Sequence, residues 1–380
     1  MATSLLTAPY IISPAYNGIS WELQSNTANL LVLRVDVYVN GSYASTINVP
    51  PRLGTTNTFD VRVGSVVKRF LEPSLDTVSV FGALSPAVDS PTAHAGIQIK
   101  VFEVYTVAGV ITTAWDETQT GTPDYTSTTP QAVRMALNGI ETLDDYRITG
   151  VIQAKFLTLR PLNSFVYEDQ PLQIDFVSEL SSVQFRVIEI DNTGGTINDT
   201  TTAVYNNSVD FRGRFFIDIA SLDTDTAKFT VAIWFSGVAR SQTYTFNVQR
   251  NVCAKKVIYW ENHLGGYDCH YFDLGVSAET KSSANQMIPV GTGIRTNISG
   301  TQDEVISVFC SMQNEGTYKM ISEASLNRSQ AYEFDTETRV FRPIVLEPSS
   351  GTRKYKDTRN NVNELKVSYV YAKRNQSLRG

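Results

Sequence analysis

Residues 259–272 read Tyr-Trp-Glu-Asn-His-Leu-Gly-Gly-Tyr-Asp-Cys-His-Tyr-Phe, and this stretch sets the character of the chain. The chain enters this stretch through residues 256–260 and leaves it through residues 269–274, and both segments have the aromatic and β-branched composition of strands. Between them, Gly265 and Gly266 permit backbone angles that other residues resist. The pattern therefore predicts a β-hairpin with a tight bend over residues 262–268.

This hairpin is crowded with aromatic side chains, which combine a large apolar area with polar tips. So many aromatics beside a Gly-Gly bend indicate a packed corner or a contact surface. The sequence therefore singles out a set of candidate structural and interaction residues: Trp260, Asn262, Gly265, Gly266, Tyr267, Asp268 and Phe272.

The rest of the chain also favours strands. It has 380 residues, 42% hydrophobic and 18% charged, and it is rich in Thr, Ser, Asn and Val, so two or three strand-built domains are expected. Residues 30–39 show the alternation of a half-buried strand, with Leu31, Leu33, Val35, Val37 and Val39 on one face and Arg34, Asp36 and Tyr38 on the other. Asn40-Gly41 is a hairpin turn signal, and residues 43–49 return as the partner strand.

Short strand candidates separated by polar turns recur between residues 171 and 248, which is typical of an immunoglobulin or fibronectin β-sandwich. Trp234 is its expected core aromatic. The sequence predicts a mainly β chain of serial antiparallel β-sandwich (immunoglobulin/fibronectin-like) domains with one or two short helices. The predicted divisions are a β-rich domain over 1–163, a sandwich over 164–250, and a β domain over 251–380 that the aromatic hairpin opens.

Four local predictions can be compared directly with the structure. Helical spacing predicts a short helix within residues 61–71, with Ser65 as a cap, and a second helix over 130–143, capped by Thr129. Residues 282–300 are expected to form a polar loop, and residues 318–321 a strand.

Composition argues against several classes of protein. A formal net charge of -6 disfavours nucleic-acid binding by a basic face, although the C-terminal end is basic. Three cysteines make no disulfide framework, which favours synthesis in a reducing compartment. The N-terminus lacks the pattern of a signal peptide, and no apolar run approaches the roughly 20 residues that span a bilayer.

No pattern of residues predicts a catalytic or metal centre. His263, Cys269 and His270, with Cys253 nearby, suggest zinc at first, but adjacent residues on a strand point to opposite faces. A Gly-x-Ser-x-Gly elbow and a phosphate-binding glycine loop are both missing from the sequence. We therefore expect no metal, no cofactor and no enzyme activity.

Four motifs stand out along the chain: Asp-Val-Tyr-Val at 36–39 before the Asn-Gly turn, Ala-Leu-Asn-Gly at 136–139, Phe-Leu-Thr at 156–158 before a proline, and residues 259–268 with Phe272. Together they resemble structural proteins of tailed phages that infect Bacteroidetes. The resemblance implies a role in assembly and carries over no catalytic residue.

Three functions follow as expectations. The first is a virion component, assembled in the host bacterial cytoplasm, that joins other virion proteins or its own copies in a symmetric ring or multimer of the tail, baseplate or neck. The alternative is a receptor- or glycan-binding fibre or a capsid decoration protein, with aromatics stacking on sugars at Tyr10, Tyr16, Tyr267 and Tyr271. The third is an esterase or glycosidase acting on surface polysaccharide.

Overall fold

The structure is a computed structural model, which describes residues 3–9, 12–15, 19–55, 57–71, 75, 94–113, 123–127, 133–137, 153–168, 170–206, 211–250, 256–273, 275–287, 296–311, 315–324, 331–347 and 364–372. Within them, nearly every element is a β-strand, as the composition predicts. No helix among these residues is long and apolar enough to cross a membrane.

The first unit is a two-sheet sandwich. Its strands are β1 (Ser4–Thr7), β2 (Ile12–Pro14), β3 (Ser20–Gln24), β4 (Leu30–Val39), β5 (Ser42–Val49), β6 (Thr58–Arg62), β7 (His94–Val107), β8 (Val110–Thr113), β9 (Tyr125–Thr126) and β10 (Val133–Leu137). One sheet has the order β1-β3-β6 and the other β2-β10-β7-β4-β5, with β8 and β9 also paired to β7.

Strand β4 shows how the sequence pattern builds this core. Leu33, Val35, Val37 and Val39 are buried and contribute to the core between the two sheets. Leu31 was predicted to lie on the same buried face, but it is 43% exposed. The pairing of β4 with β7 shifts register between Leu30 and Val32, which takes Leu31 out of the regular alternation. The Asn-Gly hairpin is confirmed: both turn residues have positive φ, and β5 pairs antiparallel with β4.

The second unit is another sandwich. Its strands are β11 (Ala154–Phe156), β12 (Asn163–Tyr167), β13 (Pro171–Ser178), β14 (Ser182–Ile190), β15 (Thr196–Thr201), β16 (Tyr205–Asn206), β17 (Phe211–Asp218), β18 (Lys228–Phe235), β19 (Val238–Ala239) and β20 (Tyr244–Gln249). The sheets have the orders β11-β13-β17 and β12-β20-β18-β14-β15.

The two sandwiches repeat one topology. Matching strands occupy matching places in both sheets, and in each sandwich the second strand pairs parallel with the last, β2 with β10 and β12 with β20. The other main pairings are antiparallel. This arrangement confirms the predicted immunoglobulin-like, mainly β fold class. Strand β11 precedes residue 164 but is hydrogen-bonded to β13, within the second sandwich.

The third unit is one antiparallel sheet. Its strands are β21 (Lys256–Glu261), β22 (Tyr267–Phe272), β23 (Gly275–Met287), β24 (Thr296–Ser311), β25 (Ala331–Asp335), β26 (Val340–Leu346) and β27 (Glu364–Tyr371), in the order β22-β21-β25-β26-β27-β24-β23. The aromatic hairpin is confirmed as β21 and β22, which pair from Lys256–Phe272 to Glu261–Tyr267.

The hairpin side chains divide between two cores. Val257 and Tyr259 belong to the core of the second sandwich, whereas Ile258 and Trp260 pack with residues of a helix, α2 (Glu315–Ala324). Because successive side chains of a strand point to opposite faces, one face of the C-terminal sheet covers the sandwich and the other carries the helix.

The helix predictions succeed only in part. A short helix, α1 (Gly64–Val67), continues as a 3-10 turn over Lys68–Phe70, but Val63 occupies its N-cap without a side-chain bond, so the Ser65 cap was wrong. The helix predicted over 130–143 was also wrong where the structure describes it. Residues Val133–Leu137 form β10, because pairing with β2 and β7 overrides a modest local helix propensity. Thr129 lies outside the described residues.

Two further local predictions were wrong in the C-terminal unit. Residues 318–321 belong to α2, in which Thr317, Met320 and Ile321 are buried at helical spacing, a period that four residues are too few to reveal. Much of the predicted loop over 282–300 is strand, because β23 runs to Met287 and β24 begins at Thr296. Residues 288–295 lie outside the described part.

Trp234 was also misplaced by the sequence analysis. It lies on the outer face of β18, half-buried, with the Arg186 guanidinium 4.6 Å from its ring centre. The aromatic residues of the core include several phenylalanines, and two of them, Phe185 and Phe215, stack with ring centres 4.0 Å apart.

Candidate functional site

Strand β13 is buried on both of its faces, which is unusual for a sandwich strand. Leu172, Ile174 and Phe176 fill the sandwich core on one face. The other face meets the hairpin β21–β22 through polar as well as apolar side chains. We call the buried polar side chains at this junction the polar layer: Thr158, Arg160, Gln170, Gln173, Asp175, Arg212, Arg214, Asn262, Asp268 and Cys269.

The Asp175 carboxylate is the first centre of the polar layer. One of its oxygens lies 3.4 Å from Arg212 Nη2 and 3.4 Å from Arg214 Nε, both on the neighbouring strand β17. The other oxygen accepts bonds from the Tyr267 backbone N–H at 2.9 Å and from Gln173 Nε2 at 3.0 Å. Because Tyr267 opens β22, Asp175 joins the second sandwich directly to the hairpin.

The Asp268 carboxylate is the second centre. Its Oδ2 accepts bonds from the Leu159 backbone N–H at 3.0 Å and from Asn262 Nδ2 at 2.8 Å. Its Oδ1 accepts a bond from the Thr158 hydroxyl and lies 3.9 Å from Arg160 Nε. Burial raises the pKa of Asp268, and Arg160 with these hydrogen bonds opposes that rise. Thr158, Leu159 and Asn262 all donate to the carboxylate, so both of its oxygens act as hydrogen-bond acceptors.

The bend of the hairpin is held by Asn262. Its side-chain oxygen accepts bonds from the backbone N–H groups of Leu264 at 3.0 Å and Gly266 at 3.1 Å. Its amide nitrogen donates to the Leu157 carbonyl at 3.0 Å. The Gly265 carbonyl accepts a bond from Arg212, which ties the bend to β17.

The two glycines of the bend serve different purposes. Gly265 has φ of 81°, which L side chains rarely adopt. Gly266 lies so close to Leu157 that an added Cβ would overlap the Leu157 carbonyl oxygen and stand 2.9 Å from its Cβ. The Gly-Gly pair thus combines a left-handed turn with a close backbone approach.

The Cys269 thiol and the His270 ring are both buried in non-reactive forms. Cys269 Sγ accepts bonds from Arg160 Nη2 and Gln170 Nε2, each at 2.9 Å, and burial raises its pKa. Burial and the nearby Arg160 charge lower the pKa of His270 to about 3, so the imidazole is neutral near pH 7. Cys269 and His270 are adjacent on β22, so their side chains point to opposite faces and cannot act together as a nucleophile and its base.

The structure brings together only some of the predicted residues. Asn262, Gly265, Gly266 and Asp268 meet in the bend and its polar contacts, and Tyr267 contributes through its backbone N–H. Trp260 and Phe272 take no part in these polar contacts and instead contribute to the apolar core beneath α2.

The other half of the polar layer was not predicted from the sequence. Gln173 and Asp175 alternate with apolar residues in β13, and Arg212 and Arg214 alternate in β17. This alternation was visible, but it is the usual signature of a solvent-facing strand surface. Only the packing of the hairpin turns that surface into an interior.

A third buried carboxylate lies on the α2 side of the C-terminal sheet. Glu333 accepts bonds from the hydroxyls of Tyr369 and Tyr371, each at 2.7 Å, and pairs with Lys256. Burial raises the pKa of both tyrosines, so both remain protonated donors near pH 7. This cluster therefore joins strands β21, β25 and β27 through satisfied hydrogen bonds.

The chemistry that these clusters support is structural. Each oxygen of Asp175 and Asp268 already faces two donors or cations, which leaves little capacity to accept a substrate proton. In the part of the chain that the structure describes, no group of three or more His, Cys, Asp or Glu side chains could hold a metal ion. Cys253 lies outside that part.

No family model and no curated protein sequence matches the chain. Among solved structures, the chain is similar to "Anomalous substructure of Titin-A168169" with 11% identity and a TM-score of 0.25, over 66% of this chain and 100% of that one. It is also similar to "Crystal structure of CBD12 from CALX1.2" with 8% identity and a TM-score of 0.18, over 65% and 99% of the respective chains. The fold assignment rests on the strand order described above.

Substitution of Gly265 and Gly266 tests the geometry of the hairpin bend. We expect Gly266→Ala to lower the free energy of unfolding by about 3 kcal/mol through overpacking against Leu157, and Gly265→Ala by about 1 kcal/mol through its positive φ. Valine at either position should cost more. Gly275→Ala is the matched control, because an added Cβ there meets nothing within 4 Å. Urea unfolding measures all three, and equal losses at the three positions would contradict this geometry.

Removal of the Asp175 charge tests the polar layer. Asp175→Asn leaves Arg212 and Arg214 buried without a counter-charge, so we expect the free energy of unfolding to fall by about 3–5 kcal/mol. The control is Asp199→Asn, which breaks the exposed pair between Arg186 Nε and Asp199 at 2.8 Å and should change stability far less. Similar losses in the two variants would show that the layer is not the stabilising feature described here.

Proposed function

We propose that the chain is a structural component of a tailed bacteriophage virion, which joins subunits in the tail, baseplate or neck through its β-domain interfaces. The observation that carries this proposal is the polar layer, in which Asp175 and Asp268 link the second sandwich to the C-terminal sheet. Buried charges placed this way make a fixed junction, which suits a protein that holds neighbours at defined angles.

The bonding of the buried carboxylates also supports an assembly role. The buried carboxylates Asp175, Asp268 and Glu333 all bond to groups of the chain itself. An enzyme usually keeps a perturbed acid or base facing an open cleft. We therefore propose that the protein is not an enzyme and that its partners are other virion proteins and its own copies.

The alternative, a receptor- or glycan-binding fibre or decoration protein, receives less support. Tyr267 and Tyr271 were two of the four aromatics expected to stack on sugars, but both are buried, and Tyr271 stacks on Tyr167 with ring centres 3.9 Å apart. Tyr10 and Tyr16 lie outside the described residues. Stacking on a sugar requires an exposed ring face, which the first two tyrosines do not offer.

Analysis of purified virions tests the proposed function. We expect mass spectrometry of particles purified on a density gradient to detect this protein in a constant ratio to the other virion proteins. Its persistence after a high-salt wash would agree with a built-in component, since salt weakens exposed charge contacts. Absence from purified particles, with the protein abundant in the infected-cell lysate, would refute the proposal.

A further inference from the structure

The C-terminal sheet extends into a long two-stranded ribbon. Strands β23 and β24 pair from Gly275–Phe309 to Met287–Thr296. The next strand of the sheet, β27, pairs with β24 only between Ile306 and Ser311. Residues 296–304 of β24 therefore have β23 as their only strand partner among the described elements, and they extend about 30 Å beyond the sheet.

The sequence of this ribbon does not supply a core of its own. Residues 280–287 read Thr-Lys-Ser-Ser-Ala-Asn-Gln-Met, and residues 296–304 read Thr-Asn-Ile-Ser-Gly-Thr-Gln-Asp-Glu. A two-stranded hairpin without an apolar face is at best marginally stable in water. The ribbon would therefore gain stability if its outer edges, which have no partner among the described strands, paired with another strand.

The chain itself offers a matching edge. Strand β5 (Ser42–Val49) lies at the edge of its sheet and has no charged residue and no proline over eight residues. Edge strands are normally protected from foreign strands by such residues. The corresponding edge in the second sandwich, β15 (Thr196–Thr201), carries Asp199, which pairs with Arg186. The two sandwiches of the chain thus share one topology but differ in how this edge strand is protected.

We propose that the β23–β24 ribbon is an intersubunit arm, which pairs along β5 of a second copy of this chain. The arm of one copy lengthens the first sandwich's sheet in the next copy by main-chain hydrogen bonds. Such a contact joins two different surfaces, so it propagates from copy to copy and closes into a ring when the rotation allows. This inference rests on the proposed role in assembly and names the contact that would perform it.

Charge favours a second copy over an oppositely charged partner. The ribbon segments 280–287 and 296–304 carry only Lys281, Asp303 and Glu304 as charged residues, and β5 carries none. A nearly neutral arm and an uncharged edge meet little repulsion and have no strong field to attract a basic or acidic molecule. Main-chain pairing is then the interaction that remains.

A shortened arm tests the proposal in the full chain. Replacing residues 282–302 with Asn-Gly joins Lys281 to Asp303, which are register partners, through a two-residue hairpin turn. By sedimentation velocity, we expect the full chain to self-associate and the shortened chain to have a dissociation constant at least about tenfold higher. Its melting temperature should stay close to that of the full chain, because the base of the hairpin is retained.

Charged residues on the receiving edge give an independent variant. Ser42 and Asn48 are exposed on β5, so the double variant Ser42→Lys/Asn48→Lys should weaken association to a similar degree without unfolding the sandwich. The matched control, Thr196→Lys/Thr200→Lys, adds the same charge to exposed positions of β15 and should leave association unchanged.

The outcomes separate this inference from the proposed function. A monomeric full chain, undiminished association of the shortened chain, or equal weakening by the β5 and β15 variants would overturn the arm, even if the protein is found in virions. Conversely, arm-dependent association of a protein that is absent from virions would overturn the proposed function and leave the arm in place.

Discussion

The contact between Asp175 and the two arginines of β17 is the constraint on which the rest of the structure depends. Burying three charged side chains is costly, and their mutual attraction offsets that cost only when the geometry is correct and the remaining donors are satisfied. Here the second carboxylate oxygen meets the backbone of Tyr267 in the hairpin. The charges therefore favour one docked position of the C-terminal sheet over others of similar apolar contact.

This constraint explains why the hairpin bend needs its particular residues. Gly266 lets the hairpin backbone reach Leu157, and at that approach Asn262 donates to the Leu157 carbonyl while it also bonds to Asp268 within the hairpin. Apolar packing around Val177 and Leu264 fills the space beside the charges. Sandwich, junction and sheet form a continuous interior, which suits a component that transmits position from one neighbour to the next.

Much of the fold could be predicted from the sequence, because alternation in β4 and the Asn-Gly turn are local signals. The helix predicted over 130–143 failed because β10 is defined by its neighbours β2 and β7. The residues that the hairpin bend contributes to the junction were predicted from the sequence, because aromatics and glycines mark the hairpin. Asp175 and Arg212 were not found, since a polar strand face looks the same in sequence whether water or another sheet covers it.

Native-state hydrogen exchange of the full chain tests the central claim most directly. If the polar layer fixes the junction, the amides of β13 and of β21–β22 should share one opening free energy and lose protection together as denaturant is added. Exchange of the hairpin amides at a distinctly lower free energy, with β13 still fully protected, would show that the C-terminal sheet opens on its own, and this account of the junction would be wrong.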